Sequence, residues 1–190
     1  MAKASGSTRT ITSGVTSVAA AHSEYVKEMG SGRYDLSQSY FSEESGGSVL
    51  VYKGRTPDAD EMFTAKAMAN DGLTVKITPE GKIEYSTGEW GGNPVYADGL
   101  VNGHTYEQAT KTPTSRSDDA LRNAADQAIK HAYDKGAKVA LIYDKAGSFH
   151  REHIEAGLRK FEMHNKSRRF KAILVVDQHG NLWEHQHNST

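Results

Sequence analysis

Two nearly continuous apolar runs, KVALIY at 138–143 and FKAILVV at 170–176, set the tightest limit on what this chain can fold into. A strand that is apolar on both faces belongs inside a sheet covered on both sides. Between the two runs lies a helix, because Phe149, Ile154, Leu158 and Phe161 recur at helical spacing behind Ser148 as a cap. A further helix precedes the first run. Ser117 caps it, Asp118 and Asp119 suit the positive end of its dipole, and Leu121, Ala124, Ala125, Ala128, Ile129 and Ala132 form a stripe that ends at Gly136. The small residues of that stripe imply close packing on the sheet.

The same reading extends toward the N-terminus. SVLVYK at 48–53 predicts a strand, and Thr56-Pro57-Asp58 opens a helix whose apolar positions Met62, Phe63, Ala67 and Met68 run to Gly72. Alternation over 73–86 around a Pro79–Lys82 turn predicts a hairpin. Asn102-Gly103, set between two β-prone arms in the phrase running from Asp98 to Glu107, gives the strongest hairpin signal, since Asn-Gly accepts the positive φ of a type I′ turn. A turn at 177–180 leads to a last strand over 181–186. The order predicts an α+β fold in which a mixed β-sheet packs with about three helices.

The first 21 residues hold 15 Ser, Thr, Ala or Gly, a composition too poor in large apolar groups to offset ordering entropy. Residues 1–47 therefore read as a tail, a short helix over 15–29 and an irregular aromatic-bearing segment, and residues 48–190 as the compact domain. Zero cysteines among 190 residues exclude disulfides, thiolate metal sites and a cysteine nucleophile together. No apolar run approaches the ~18 residues of a membrane span, and the N-terminus lacks the apolar stretch of a signal peptide. No membrane contact is expected.

Charge is unevenly spread. Residues 1–110 carry 9 basic and 14 acidic groups (net −5), whereas residues 111–190 carry 14 and 10 (net +4) with seven of the nine histidines. Such asymmetry is one signature of nucleic-acid contact. Walker, GxGxxG, GxSxG and HExxH motifs are absent, which removes nucleotide hydrolysis, dinucleotide chemistry and the common zinc proteases. His150/His153 and His185/His187 read as surface histidines, so no metal and no cofactor is expected.

Three groups can carry chemistry. Asp98 and Glu107 flank the Asn-Gly turn as the carboxylates of a restriction-type nuclease do, but the strand reads Glu107-Gln108-Ala109 where such enzymes have Glu-x-Lys. Lys111 stands on the same face of an extended strand as a substitute. The cluster Lys166, Arg168, Arg169 and Lys171 offers several cations together, and guanidinium groups match phosphate oxygens in pairs. Tyr106, Tyr143 and Trp183 are candidate stacking surfaces, and His185 a proton carrier.

The segments YFSEESGG (40–47), LTVKITPEG (73–81), DGLVNGHTYEQ (98–108), the Ala-rich helix, KVALIYD and SRRFKAILVVDQHGNLWE (167–184) together resemble the nuclease toxin domains of the barnase, EndoU, colicin and RelE-like superfamily. They are most like the tRNase toxin tips of contact-dependent inhibition proteins and the similar domains of phage head-morphogenesis proteins. The resemblance implies a ribonuclease that cleaves RNA, in particular tRNA, by metal-independent attack of the 2′-hydroxyl on the adjacent phosphate. By position it assigns catalysis to Glu107, Lys111, Arg169, Lys171 and His185, and RNA binding to Lys166, Arg168, Tyr106 and Trp183. It also implies a cognate immunity protein and action in the cytoplasm of a target cell after delivery. Ala109, where relatives carry the lysine, keeps a non-catalytic interaction or structural module open, and a metal-dependent DNase stands third.

Overall fold

The computed structural model describes residues 11, 17–79, 96–165 and 170–185. The two apolar runs lie side by side as the sixth and seventh strands of an eight-stranded mixed sheet, whose strands follow one another across it in chain order. Preceding them are helix α1 (Val18–Gly30), strands β1 (Tyr40–Phe41) and β2 (Ser48–Val51), helix α2 (Ala59–Asn70), and strands β3 (Thr74–Ile77), β4 (Gly99–Val101) and β5 (His104–Lys111). Helix α3 (Asp118–Asp134), β6 (Val139–Asp144), α4 (Arg151–His164), β7 (Ala172–Asp177) and β8 (Leu182–His185) complete the order. The α+β fold with a mixed sheet is as the residue pattern predicts; the second arm of the 73–86 hairpin lies outside the described residues.

β5, β6 and β7 are parallel, in the register Glu107↔Ala140 and Ala140↔Ile173, with α3 and α4 as crossovers. β2 and β3 form a second parallel pair joined by α2. Because side chains alternate along a strand, each central strand feeds two cores. Val139, Leu141, Leu174 and Val176 pack with the α2 residues Ala65, Met68 and Ala69. Ala140, Ile142, Ile173 and Val175 pack on the opposite face with Ala125, Ile129, Leu158 and Phe161 of α3 and α4. At the far end α1 lies over β2 and β3 across a cavity of about 430 Å3 and is tied to the sheet by Glu28–Lys76 at 3.4 Å.

Several boundaries differ from the sequence expectation for local reasons. Helix α2 is capped by Asp58, not Thr56: its carboxylate accepts the Glu61 N–H at 2.8 Å while Glu61 accepts the Asp58 N–H at 2.7 Å, a reciprocal capping box. Helix α4 starts behind His150 instead of Ser148, because the buried Asp144 carboxylate takes the Ser148 and Phe149 N–H groups at 2.8 and 2.9 Å and holds them in the loop. The Asn-Gly turn is as expected, with φ 45° at Asn102 and 81° at Gly103. Ile11, in the stretch read as free of packing, is 2% exposed within the α2-side core.

Candidate functional site

β4 pairs with β5 only as far as Gly99↔Tyr106. Beyond that point the N–H of Gln108 is received by the Asp98 carboxylate at 2.8 Å instead of a strand carbonyl, so the sheet opens there into a cleft. Its volume is about 510 Å3, and it is walled by the N-terminal end of α2 (Asp58, Glu61), the Arg55–Thr56 approach to it, Thr78–Pro79, Tyr96–Asp98, Glu107 and Lys135 at the end of α3.

Glu107 is the buried acid of this cleft, 6% exposed on the α3 side of the sheet. The Nε2 atom of His131, from the last turn of α3, lies 2.9 Å from its carboxylate. Burial, and then the neighbouring Asp98 charge, push the Glu107 carboxyl up to about 8, against the opposing charge of Lys135. His131 moves the other way, its basicity lowered by burial and by the charges of Lys135 and Lys111. At neutral pH the two groups therefore hold one proton between them, the state suited to giving and taking a proton near pH 7. Burial also raises Asp98, opposed by the Gln108 N–H and by Arg55 and Lys135, and raises Glu61, opposed by the Asp58 N–H and by Arg55. Arg55 is itself buried and ion-paired with Glu61.

The structure redistributes the sequence-predicted residues. Lys111 shares the Glu107 face of β5, four residues or about 13 Å along the strand, and its charge reaches His131. Lys171 is exposed just before β7, two strands from β5, and His185 pairs with Ile173 on β8, three strands away. Lys166, Arg168 and Arg169 lie outside the described residues. Tyr106 is 3% exposed in the α2-side core, where its ring has no face left for a base. Trp183 is half-buried against the α4-side core with the Arg151 guanidinium 4.9 Å above its ring. His153, read as a surface histidine, is buried: its Nδ1 accepts the His150 N–H at 3.0 Å and its Nε2 meets Asp118 at 3.0 Å, a local capping arrangement.

His131, Lys135, Glu61 and Arg55 were not singled out by the sequence reading. The i, i+4 spacing of His131 and Lys135 places them on one face of α3. Nothing local in the sequence says that this face meets Glu107.

No family model matches this chain, and no curated protein matches it. Among solved structures, it is similar to a chain of the CdiA-CT/CdiI toxin and immunity complex from Burkholderia pseudomallei, at 17% identity and a TM-score of 0.50, covering 73% of this chain and 98% of that one. At that identity the likeness is one of fold. Among the described residues no helix is long and apolar enough to cross a membrane.

Proposed function

We propose that this chain is the RNA-cleaving domain of a toxin, that tRNA is its substrate class, and that the phosphodiester is cut in the Glu107–His131 cleft. The observation that carries the reading is the 2.9 Å carboxyl–imidazole contact, with one proton held between the two groups and Lys135 beside them. In this reaction the 2′-oxygen forms a bond to phosphorus as the bond to the 5′-oxygen breaks; one proton leaves the attacking hydroxyl and one is delivered to the departing oxygen. A pair holding one mobile proton serves both transfers, and Lys135 supplies positive charge for the phosphorane. The net charge of +4 over residues 111–190 supports attraction of a polyanion. The fold's likeness to a chain of a toxin and immunity complex supports a toxin held by a cognate inhibitor protein; action in the cytoplasm of a target cell after delivery is part of the same proposal.

A second reading is favoured by the carboxyls of Glu61, Asp98 and Glu107, all raised together around the cleft. A divalent cation would supply the missing neutralisation and polarise the phosphate. Among the described residues no three His, Asp or Glu side chains are set to hold one ion together.

The test is cleavage of total tRNA with EDTA present, comparing wild type with Glu107→Gln, His131→Ala and Lys135→Ala. The expected outcome is EDTA-resistant cleavage that falls about 10²- to 10³-fold in each variant. Cleavage abolished by EDTA and restored by magnesium selects the second reading. A wild-type protein inert toward RNA under both conditions selects the non-catalytic module.

A further inference from the structure

Tyr96 lines the cleft with a side chain that the fold leaves only partly covered. It is 46% exposed, the one aromatic residue in the exposed class among the described residues. Other exposed aliphatic side chains, Val26, Leu36 and Met163, do not line the cleft, whereas Tyr96 does, beside Lys135 and two residues from Asp98. Single exposed apolar side chains are ordinary on a protein surface. What distinguishes this one is the frame beneath it.

The backbone that carries the ring is tied down on both sides. The Tyr96 N–H donates to the Lys135 carbonyl at 2.9 Å, the Asp98 N–H donates to the Tyr106 carbonyl at 3.0 Å, and the Asp98 carbonyl receives the Thr78 N–H at 3.2 Å. Between them Ala97 is buried against the α3-side core. A hydrogen-bonded backbone therefore presents a partly exposed, amphipathic ring in the cleft that Glu107 and Lys135 also line, at low ordering cost. A duplex cannot use such a surface, because its bases are stacked on one another; an unpaired base can, and every base has a π-face to offer.

We infer that Tyr96 is the base-stacking platform of this cleft, so that the substrate is an unpaired nucleotide, as in a loop or single strand, whose base lies on the Tyr96 ring while its phosphate meets Lys135 and the Glu107–His131 pair. The inference rests on the proposed ribonuclease reading and specifies which RNA that site takes. Tyr96 is a specificity residue and carries no proton in the reaction.

The experiment compares wild type, Tyr96→Ala and Tyr96→Phe on one oligoribonucleotide, single-stranded and annealed to its complement. It adds a binding measurement with the same strand carrying 2-aminopurine, whose fluorescence is quenched on stacking. Expected are a preference of the wild type for the single strand and a kcat/KM about 10- to 100-fold lower for Tyr96→Ala on that strand, chiefly through KM. Tyr96→Phe should retain wild-type activity, and Tyr96→Ala should lose quenching without losing its residual duplex activity. Tyr96→Ala matching wild type on the single strand, in cleavage and in quenching, overturns the inference while leaving the ribonuclease reading standing. Tyr96-dependent quenching by a protein that cleaves nothing overturns the catalytic reading and sustains the platform. No cleavage and no quenching overturns both.

Discussion

Glu107 shows how much one residue can report about a cleft. Its carboxyl is held near 8, against an ordinary value of about 4.3, because folding removes it from water and sets it beside Asp98. Between those two values the unfolded chain has lost a proton that the folded chain keeps, so the unfolded state binds fewer protons and stability falls as pH rises, levelling off above pH 8. Glu107→Gln removes that cost and still offers a donor to His131. Urea unfolding at pH 4.5 and pH 9 should find the variant close to wild type at the lower pH and about 2 to 5 kcal/mol more stable at the higher one. Parallel pH profiles for the two proteins would show that Glu107 ionises without penalty and that no mobile proton sits in the cleft at neutral pH. Gain of stability together with loss of cleavage would be the signature of a residue strained for function.

At the scale of elements, the site depends on how α3 is pressed onto β5, and α4 does the pressing. Gly157 of α4 lies so close to α3 that a β-carbon there would come within 2.5 Å of the Ala125 β-carbon and 2.8 Å of the Asp126 nitrogen. Helix propensity alone says that Gly→Ala in a helix stabilises by about 1 kcal/mol. Overpacking against backbone reverses the sign, and Gly157→Ala should destabilise by about 1 to 3 kcal/mol. It should also weaken RNA cleavage, since a displaced α3 carries His131 and Lys135 away from Glu107. Thermal melts check the first part, and a variant more stable than wild type would mean that the two helices can separate freely. The sequence placed the Ala stripe of α3 against the sheet; that one of its members, Ala125, also meets Gly157 of α4 is a contact only the tertiary structure reveals.

The whole molecule is held by two cores that share the central strands, so damage to a strand centre is felt on both faces. Leu174, 2% exposed in β7, contacts the α2-side core, and Leu174→Asp should unfold the protein because an unpaired buried charge costs several kcal/mol. Ile11 enters the same core from the N-terminal stretch, so Ile11→Asp should also lower the melting temperature, though less, since it loses one anchor and not the sheet. Val26→Asp, at an exposed position of α1, should change stability by about 0.5 kcal/mol or less. Equal melting temperatures for wild type and Ile11→Asp would show that the stretch around Ile11 contributes nothing to the core.

The sequence by itself determined the parts that local physics controls. The apolar runs of β6 and β7, the stripes of α2, α3 and α4, the Ser117 cap and the positive-φ Asn102-Gly103 turn each follow from spacing within about 20 residues. So does the pairing of Asp98 with Glu107, because a tight hairpin brings its two arms together whatever else the chain does. Tertiary structure alone decided what surrounds that pair. His131 and Lys135 follow Glu107 by 24 and 28 residues, and Glu61 and Arg55 precede it by 46 and 52. Their convergence depends on which end of α3 reaches β5 and on where β4 stops pairing. The cations chosen from the sequence were the densest cluster along the chain. The cation shown acting on Glu107, Lys135, is one the crossover helix delivers to its carboxylate, because Coulomb interaction depends on separation through space and is indifferent to separation along the chain.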